Sequence, residues 1–175
     1  CCLPHGTTQD AIAALPKQVK VVDLSADFRL KDIDTYEQWY RQPHTQPHLQ
    51  DEAVYGLTEI NREQIKSARL VANPGCCPTS ALLALVPLVR DEMIKAENII
   101  IDVKSGVTGA GRKVAQSFLY TEVNESLMAY GIATHRHTPE IEQELGANQM
   151  VTFTPHLVPM SRGILSTIYV DLKCW

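Results

Sequence analysis

Nowhere in these 175 residues is there an apolar run near the roughly 20 residues that cross a bilayer. A basic leader with an apolar middle and a small-residue cleavage site is also missing, so neither insertion into a membrane nor export is expected. Basic residues are neither plentiful nor clustered. Lys and Arg total 16 against 20 Asp and Glu, for a net charge of -4. The electrostatic footprint of a nucleic-acid binder is therefore absent. The five cysteines stand at positions 1, 2, 76, 77 and 174 without a Cys-x2-Cys spacing, so no zinc or other metal site is expected. An odd count that includes two adjacent pairs is also a poor disulfide framework, which points to a reducing, cytoplasmic setting. No GxxxxGK[ST] loop occurs, which excludes a P-loop. No repeat or low-complexity tract interrupts the chain. These exclusions leave a globular protein acting on a small molecule.

With 45% apolar and 21% charged residues, the chain can bury one sizeable core or two smaller ones. Two halves differ in rhythm. Over 1–75, short β-branched runs alternate with helical patches: Cys1–Pro4 as the end of a strand, Thr8–Leu15 as a helix, Val19–Leu24 and Arg69–Ala72 as buried parallel strands, and Asn61–Ser67 as a short helix capped by Asn61. Residues 32–50 have no clear period and are expected to be an irregular surface excursion. This half predicts part of a doubly wound α/β sheet. Over 76–175, an amphipathic helix is expected from Pro78 to Lys95, bent or interrupted by Pro87. Strands follow at Asn98–Val103, Met150–Thr154 and Ile164–Leu172, with a helix at Thr138–Leu145 opened by a Thr138 cap and Pro139. This half predicts an α+β domain with a mixed or antiparallel sheet. The first residue lies inside an apolar stretch and the last comes just after a strand, so both ends read as cuts in a longer parent.

Three constellations carry chemistry. In Asn73-Pro74-Gly75-Cys76-Cys77-Pro78-Thr79, a strand ends in a tight turn that sets Cys76 at a helix mouth, where backbone amides and the helix dipole favour a thiolate. Cys76 is the candidate nucleophile, and Cys77 is expected to serve packing. His135-Arg136-His137 precedes the second helix and offers an imidazole partner; an extended backbone would point the two rings oppositely, so one of them should face the thiol. Ser105 to Lys113 (SGVTGAGRK) is a glycine-rich loop able to approach a phosphate, ending in Arg112 and Lys113. Two weaker signals are Ser25 and Arg29 after a strand, where α/β sheets bind ligands, and Arg162 at the start of the last strand.

Together, VVDLSADFRL, NPGCCPT, KSGVTGAGRK, HRHTPEI and TPHLVPMSRGIL resemble the N-acetyl-gamma-glutamyl-phosphate reductase family of arginine biosynthesis, over nearly the whole chain. That family is related to aspartate-semialdehyde dehydrogenase. The resemblance implies a partial Rossmann-like NADP-binding domain at 1–75 and an incomplete catalytic and dimerisation domain of the semialdehyde dehydrogenase type at 76–175. It places the nucleophile on Cys76 and the catalytic base on His137, with His135 in reserve. Ser105, Gly106, Thr108, Gly109 and Gly111 would flank the nicotinamide of NADPH. Ser25, Arg29, Arg112, Arg136 and Arg162 would bind the acyl-phosphate substrate, and the full-length parent would be a homo-oligomer. Two departures stand out. Cys77 replaces the family's usual aromatic residue, and the family's first glycine-rich nucleotide loop is missing, so this chain is expected to bind NADPH weakly. Rival readings are a reductase of aspartyl or aminoadipyl phosphate, a cysteine hydrolase, or an inactive fragment.

Overall fold

The structure, a computed structural model, describes residues 1–111, 114–146 and 151–173. They form two compact units, Cys1–Gly75 and Cys76–Trp175.

The first unit runs α1 (Thr8–Ala13), β1 (Val21–Asp23), α2 (Ile33–Tyr40), α3 (Pro47–Gln50), β2 (Ala53–Tyr55), α4 (Thr58–Ser67) and β3 (Leu70–Ala72). Its three strands are parallel in the order β1-β3-β2, with Val22 and Val54 both paired to Val71. Parallel strands of three residues hold few ladder bonds, so the helices must close the core. Ile12 of α1, Phe28, Leu49 of α3 and Leu70 of β3 form that core, each worth about 1.5–3 kcal/mol on burial. Cys1–Pro4 is exposed and no strand is assigned there. Even so, the Cys1 nitrogen donates to the Val22 carbonyl, and Leu24 N–H donates to the Cys1 carbonyl (2.9 Å), which is a parallel pairing one residue long.

The segment 32–50 is not irregular. Asp32 caps α2, accepting from Thr35 N–H at 2.9 Å, and Tyr36 on that helix is fully buried. The apolar period is hidden because Tyr36 carries a hydroxyl into the core and satisfies it on Asp27 at 2.9 Å. Asn61 stands at the kink of α4 where two helical stretches meet (φ -115°, ψ 26°), so a helical stretch does start there, and its side-chain amide donates to the Tyr55 carbonyl at 3.0 Å.

The second unit runs α5 (Cys76–Arg90), β4 (Ile99–Gly106), two single 3₁₀ turns at Val107–Ala110 and Gln116–Phe118, α6 (Tyr120–Val123), β5 (Met128–Ala129), α7 (Thr138–Leu145), β6 (Val151–Val158) and β7 (Ile164–Tyr169). The sheet order is β5-β6-β4-β7; β4 is parallel to β6, and the two outer pairings are antiparallel. The α/β and mixed-sheet α+β characters read from the sequence are both borne out. In α5, Cys77 and Pro78, Ala81 and Leu82, Leu85 and Val86 form a buried stripe at four-residue spacing. Pro87 faces solvent, so the helix continues past it to Arg90. It ends in a Schellman motif: Met93 N–H reaches the Leu88 carbonyl at 3.0 Å and Glu92 takes the left-handed conformation (φ 54°). On β4, Ile99, Ile101 and Val103 are buried, while Ile100, Asp102 and Lys104 alternate outward.

Candidate active site

The approach to Cys76 is fixed from the strand side. Asn73 N–H donates to the Asp23 carbonyl (2.8 Å), and the Asn73 carbonyl accepts from Arg29 Nε (2.7 Å), whose other arm donates to the Leu24 carbonyl (3.0 Å). Pro74 and Gly75 then turn the chain, and Cys76 is the first residue of α5. Among the amides at a helix start an anion is favoured. The two adjacent thiols behave differently: Cys76 is exposed and Cys77 is 1% exposed. Their sulfurs stand 4.0 Å apart. The hydrogen bond with Cys76, together with burial, holds the Cys77 thiol well above the ordinary range, so it stays protonated. Cys77 is anchored by the Ser80 hydroxyl, which bonds both the Cys77 carbonyl (2.9 Å) and the Ser166 hydroxyl (2.7 Å).

The Cys76 and Cys77 sulfurs and a ring nitrogen of His137 all lie within 4.8 Å of one another. His137 occupies the N-cap position of α7 (φ -81°, ψ -14°), and Thr138 is its first helical residue rather than its cap. The histidine segment is turned rather than extended, so the rings of His135 and His137 meet edge to face at 4.7 Å instead of pointing apart. His135 sits in an aromatic box with Tyr130 (5.5 Å) and Phe153 (5.3 Å). Burial, and secondarily the Arg136 charge, brings its pKa down to about 4, so it is neutral. Its Nδ1 accepts from His137 N–H at 3.1 Å, which positions the His137 backbone.

Two neighbours went unnoticed in the sequence. Tyr130 has its pKa pushed up to about 12 by burial and by Cys77 and Cys76. Glu140, on the first turn of α7, is fully buried and acts on Cys77. Tyr130 belongs to no motif; Glu140 does, but nothing in a helix-opening Pro-Glu pair signals burial.

The glycine-rich segment is tied to the chain before β7. Gly106 and Gly163, Val107 and Met160, and Thr108 and Ser161 are joined by backbone bonds of 2.8–3.2 Å, and the Thr108 hydroxyl adds 2.7 Å to the Ser161 carbonyl. A Cβ at Gly106 would stand 2.9 Å from the Arg162 backbone nitrogen, so this contact needs glycine. Ser105 and Gly106 close β4, Gly109 lies in the 3₁₀ turn, and Gly111 has φ 74°. Arg112, the predicted phosphate ligand, and Lys113 lie outside the described residues. A cavity of about 330 Å³ is lined by Val107, Thr108, Gly111, Val114 and Phe118 among others, and Cys76 and His137 do not line it. Arg136 and Arg162 are exposed.

Ser25 and Arg29 are buried in the first unit. Ser25 bonds Asp23 (2.6 Å) and Thr8 (2.7 Å), and Arg29 braces Asn73 and Leu24 as described. Asp27 accepts from Gly6 N–H (2.8 Å), Thr8 N–H (3.3 Å) and the Thr8 hydroxyl at the start of α1, and Asp32 caps α2. These two helix starts therefore already hold carboxylates, and their amides do not cradle a dinucleotide pyrophosphate.

A family model described as semialdehyde dehydrogenase, dimerisation domain, matches residues 76–174, and one described as semialdehyde dehydrogenase, NAD binding domain, matches residues 1–68. A probable chloroplastic N-acetyl-gamma-glutamyl-phosphate reductase of Arabidopsis thaliana is 60% identical over 98% of this chain and 44% of its own length. An N-acetyl-gamma-glutamyl-phosphate reductase of Pelotomaculum thermopropionicum is 58% identical over 97% of the chain and 50% of its own length. The chain thus spans about half the length of the curated relatives it matches. In structure it resembles aspartate semialdehyde dehydrogenase II of Vibrio cholerae, with a TM-score of 0.59, 17% identity, 88% of this chain and 49% of the other covered.

Proposed function

The chain belongs to the semialdehyde dehydrogenase family, and from that premise we propose that its full-length form reduces N-acetylglutamyl 5-phosphate to the 5-semialdehyde through a thioester on Cys76. One observation carries the reading: an exposed thiol at the first residue of α5 with an imidazole at its side. The Cys76 sulfur attacks the acyl carbonyl, forming a C–S bond as the C–O bond to phosphate breaks, and inorganic phosphate leaves. Amides at the start of α5 face the oxyanion of each tetrahedral stage. His137 takes the thiol proton and returns one to the Cys76 sulfur as the thiohemiacetal oxyanion collapses to the aldehyde. His135, neutral and packed among aromatic rings, holds His137 in place and is the reserve base. A nicotinamide dinucleotide supplies the hydride that turns the thioester into an aldehyde. The cofactor would be NADPH, and the backbone of Ser105, Gly106, Thr108, Gly109 and Gly111 would help to hold it. The starts of α1 and α2 hold carboxylates, and reduction belongs to the full-length protein.

Arg112, Arg136 and Arg162 are the candidate partners of the substrate's anionic groups, and Ser25 and Arg29 support the strand end leading to Cys76. Residues 1–75 act as part of the nucleotide-binding domain, and residues 76–175 carry catalysis and assembly into a homo-oligomer. The outward face of β4 and β7, where Ile100, Leu165 and Tyr169 stand beside Asp102 and Lys104, is the candidate surface for that assembly. A cytoplasmic setting fits the free thiols. Among the described residues no helix is long and apolar enough to cross a membrane.

The test is NADPH oxidation by the full-length protein with N-acetylglutamyl phosphate or aspartyl phosphate. Turnover with the first, at least about 10³-fold slower in Cys76→Ser, supports the reading. Preference for aspartyl phosphate overturns the substrate, and an active Cys76→Ser overturns the nucleophile.

A further inference from the structure

The adjacent thiols do more than supply a nucleophile and a packing group. The geometry points to a binding site for one thiophilic divalent cation of the zinc class, held by Cys76, Cys77 and His137, that closes the thiol to acylation while it is bound.

Three soft donors converge from two helices: Cys76 and Cys77 from the first turn of α5 and His137 from the cap of α7. Their ligand atoms lie within 4.8 Å of one another, and the two sulfurs are 4.0 Å apart. A tetrahedral zinc with Zn–S about 2.3 Å and Zn–N about 2.0–2.1 Å places two sulfurs about 3.8 Å apart. The sulfur pair is already at that spacing, and only the imidazole has to draw in by an ångström or so. α5 and α7 pack on each other in one unit, so the donors are held before the ion arrives.

A nucleophile and its imidazole would by themselves give two ligands. Cys77 is the third. Glu140, fully buried on the first turn of α7, lies on the same helix as the imidazole donor. Cys76 is exposed, which leaves the fourth position to water. Binding releases the thiol protons to solvent and forms two metal–sulfur bonds, with no change in oxidation state. Removing the ion with a chelator restores the thiols.

Direct titration with Cd²⁺ and Zn²⁺ tests the site without any turnover. The chain is used with Cys1, Cys2 and Cys174 replaced by serine, so that only the two thiols of interest remain. One equivalent of Cd²⁺ should saturate the ultraviolet cadmium–thiolate absorbance and protect both thiols from Ellman's reagent, reversibly by chelator. Cys77→Ser should lose about half of that absorbance, and it and His137→Ala should each bind at least about tenfold more weakly, since losing even a hydrogen-bond partner of a metal ligand costs about 10–100-fold. Protection of one thiol only, or unchanged Cd²⁺ affinity in either variant, would overturn the proposal. The thiol count needs no substitution at Cys77, so the result stands even if Cys77→Ser fails to fold. Metal binding and acylation are measured separately: two-thiol binding with no acylation would retain this site and remove the nucleophile, and the reverse would do the opposite.

Discussion

In the unit Cys1–Gly75 the buried polar side chains answer one another. Asp27 takes hydrogen bonds from Gly6, Thr8 and Tyr36; Ser25 links Thr8 to Asp23; and Arg29 holds two backbone carbonyls. In the unit that begins at Cys76, the conspicuous groups open outward. Cys76 is exposed, and His137 stands beside it at the head of a helix. Conspicuous motifs therefore differ in how they are held: the polar side chains of VVDLSADFRL are tied into the fold, and NPGCCPT and HRHTP bring Cys76, Cys77 and His137 together. Arrangement separates them. In the first motif each polar group is spent on a neighbour and builds the fold, and in the second two sulfurs and an imidazole nitrogen converge within 4.8 Å.

The sharpest way to break the contrast is to remove the hub of the brace. Asp27→Ala leaves three donors and Tyr36 unsatisfied in a site that is 0% exposed. It should cost about 3–5 kcal/mol in the first unit, measured by denaturant unfolding, while the thiol reactivity of Cys76 in the folded fraction stays unchanged. A loss below about 1 kcal/mol would mean that the network is decorative.

Next in size is a pH effect confined to the second unit. His135 has a folded pKa of about 4, below its ordinary value of 6.5, because burial disfavours its charged form. The unfolded chain therefore binds the proton first. The stability linked to this group is fully present above pH 6.5 and is lost as pH falls toward 4, by about 2–3 kcal/mol. Subtracting the stability–pH curve of His135→Phe, which keeps the aromatic box filled, should isolate that slope. Parallel curves would show that His135 is not buried as described.

The smallest effect separates the two histidines. Alkylation of Cys76 below the ordinary thiol pKa of about 8.5 should slow about tenfold in His137→Ala and by less in His135→Phe. If only the His135 variant slows, the roles are exchanged.

Much of this was legible in residue order. The helix Thr138–Leu145 is legible with these bounds, and β1 and β3 to within two residues, because continuous β-branched runs and a Thr-Pro opening are local signals. The strand–turn–helix placing Cys76 is equally local. What lay hidden was non-local. The burial of Tyr36 depends on Asp27, nine residues away, so 32–50 looked polar although it holds two helices. β2 is only three residues long and is defined by its pairing with β3. The nearness of Tyr130 and Glu140 to the thiols arises from packing between α5, α7 and the chain before them, which no spacing rule encodes.

The most direct measurement of the central claim is the intact mass of this chain after exposure to an acyl phosphate, followed by peptide mapping. One acyl group should be found, on Cys76, labile to hydroxylamine as a thioester is, absent in Cys76→Ser and retained in Cys77→Ser. Acylation that survives Cys76→Ser, or that maps to Cys77 in the unmodified chain, would contradict the account.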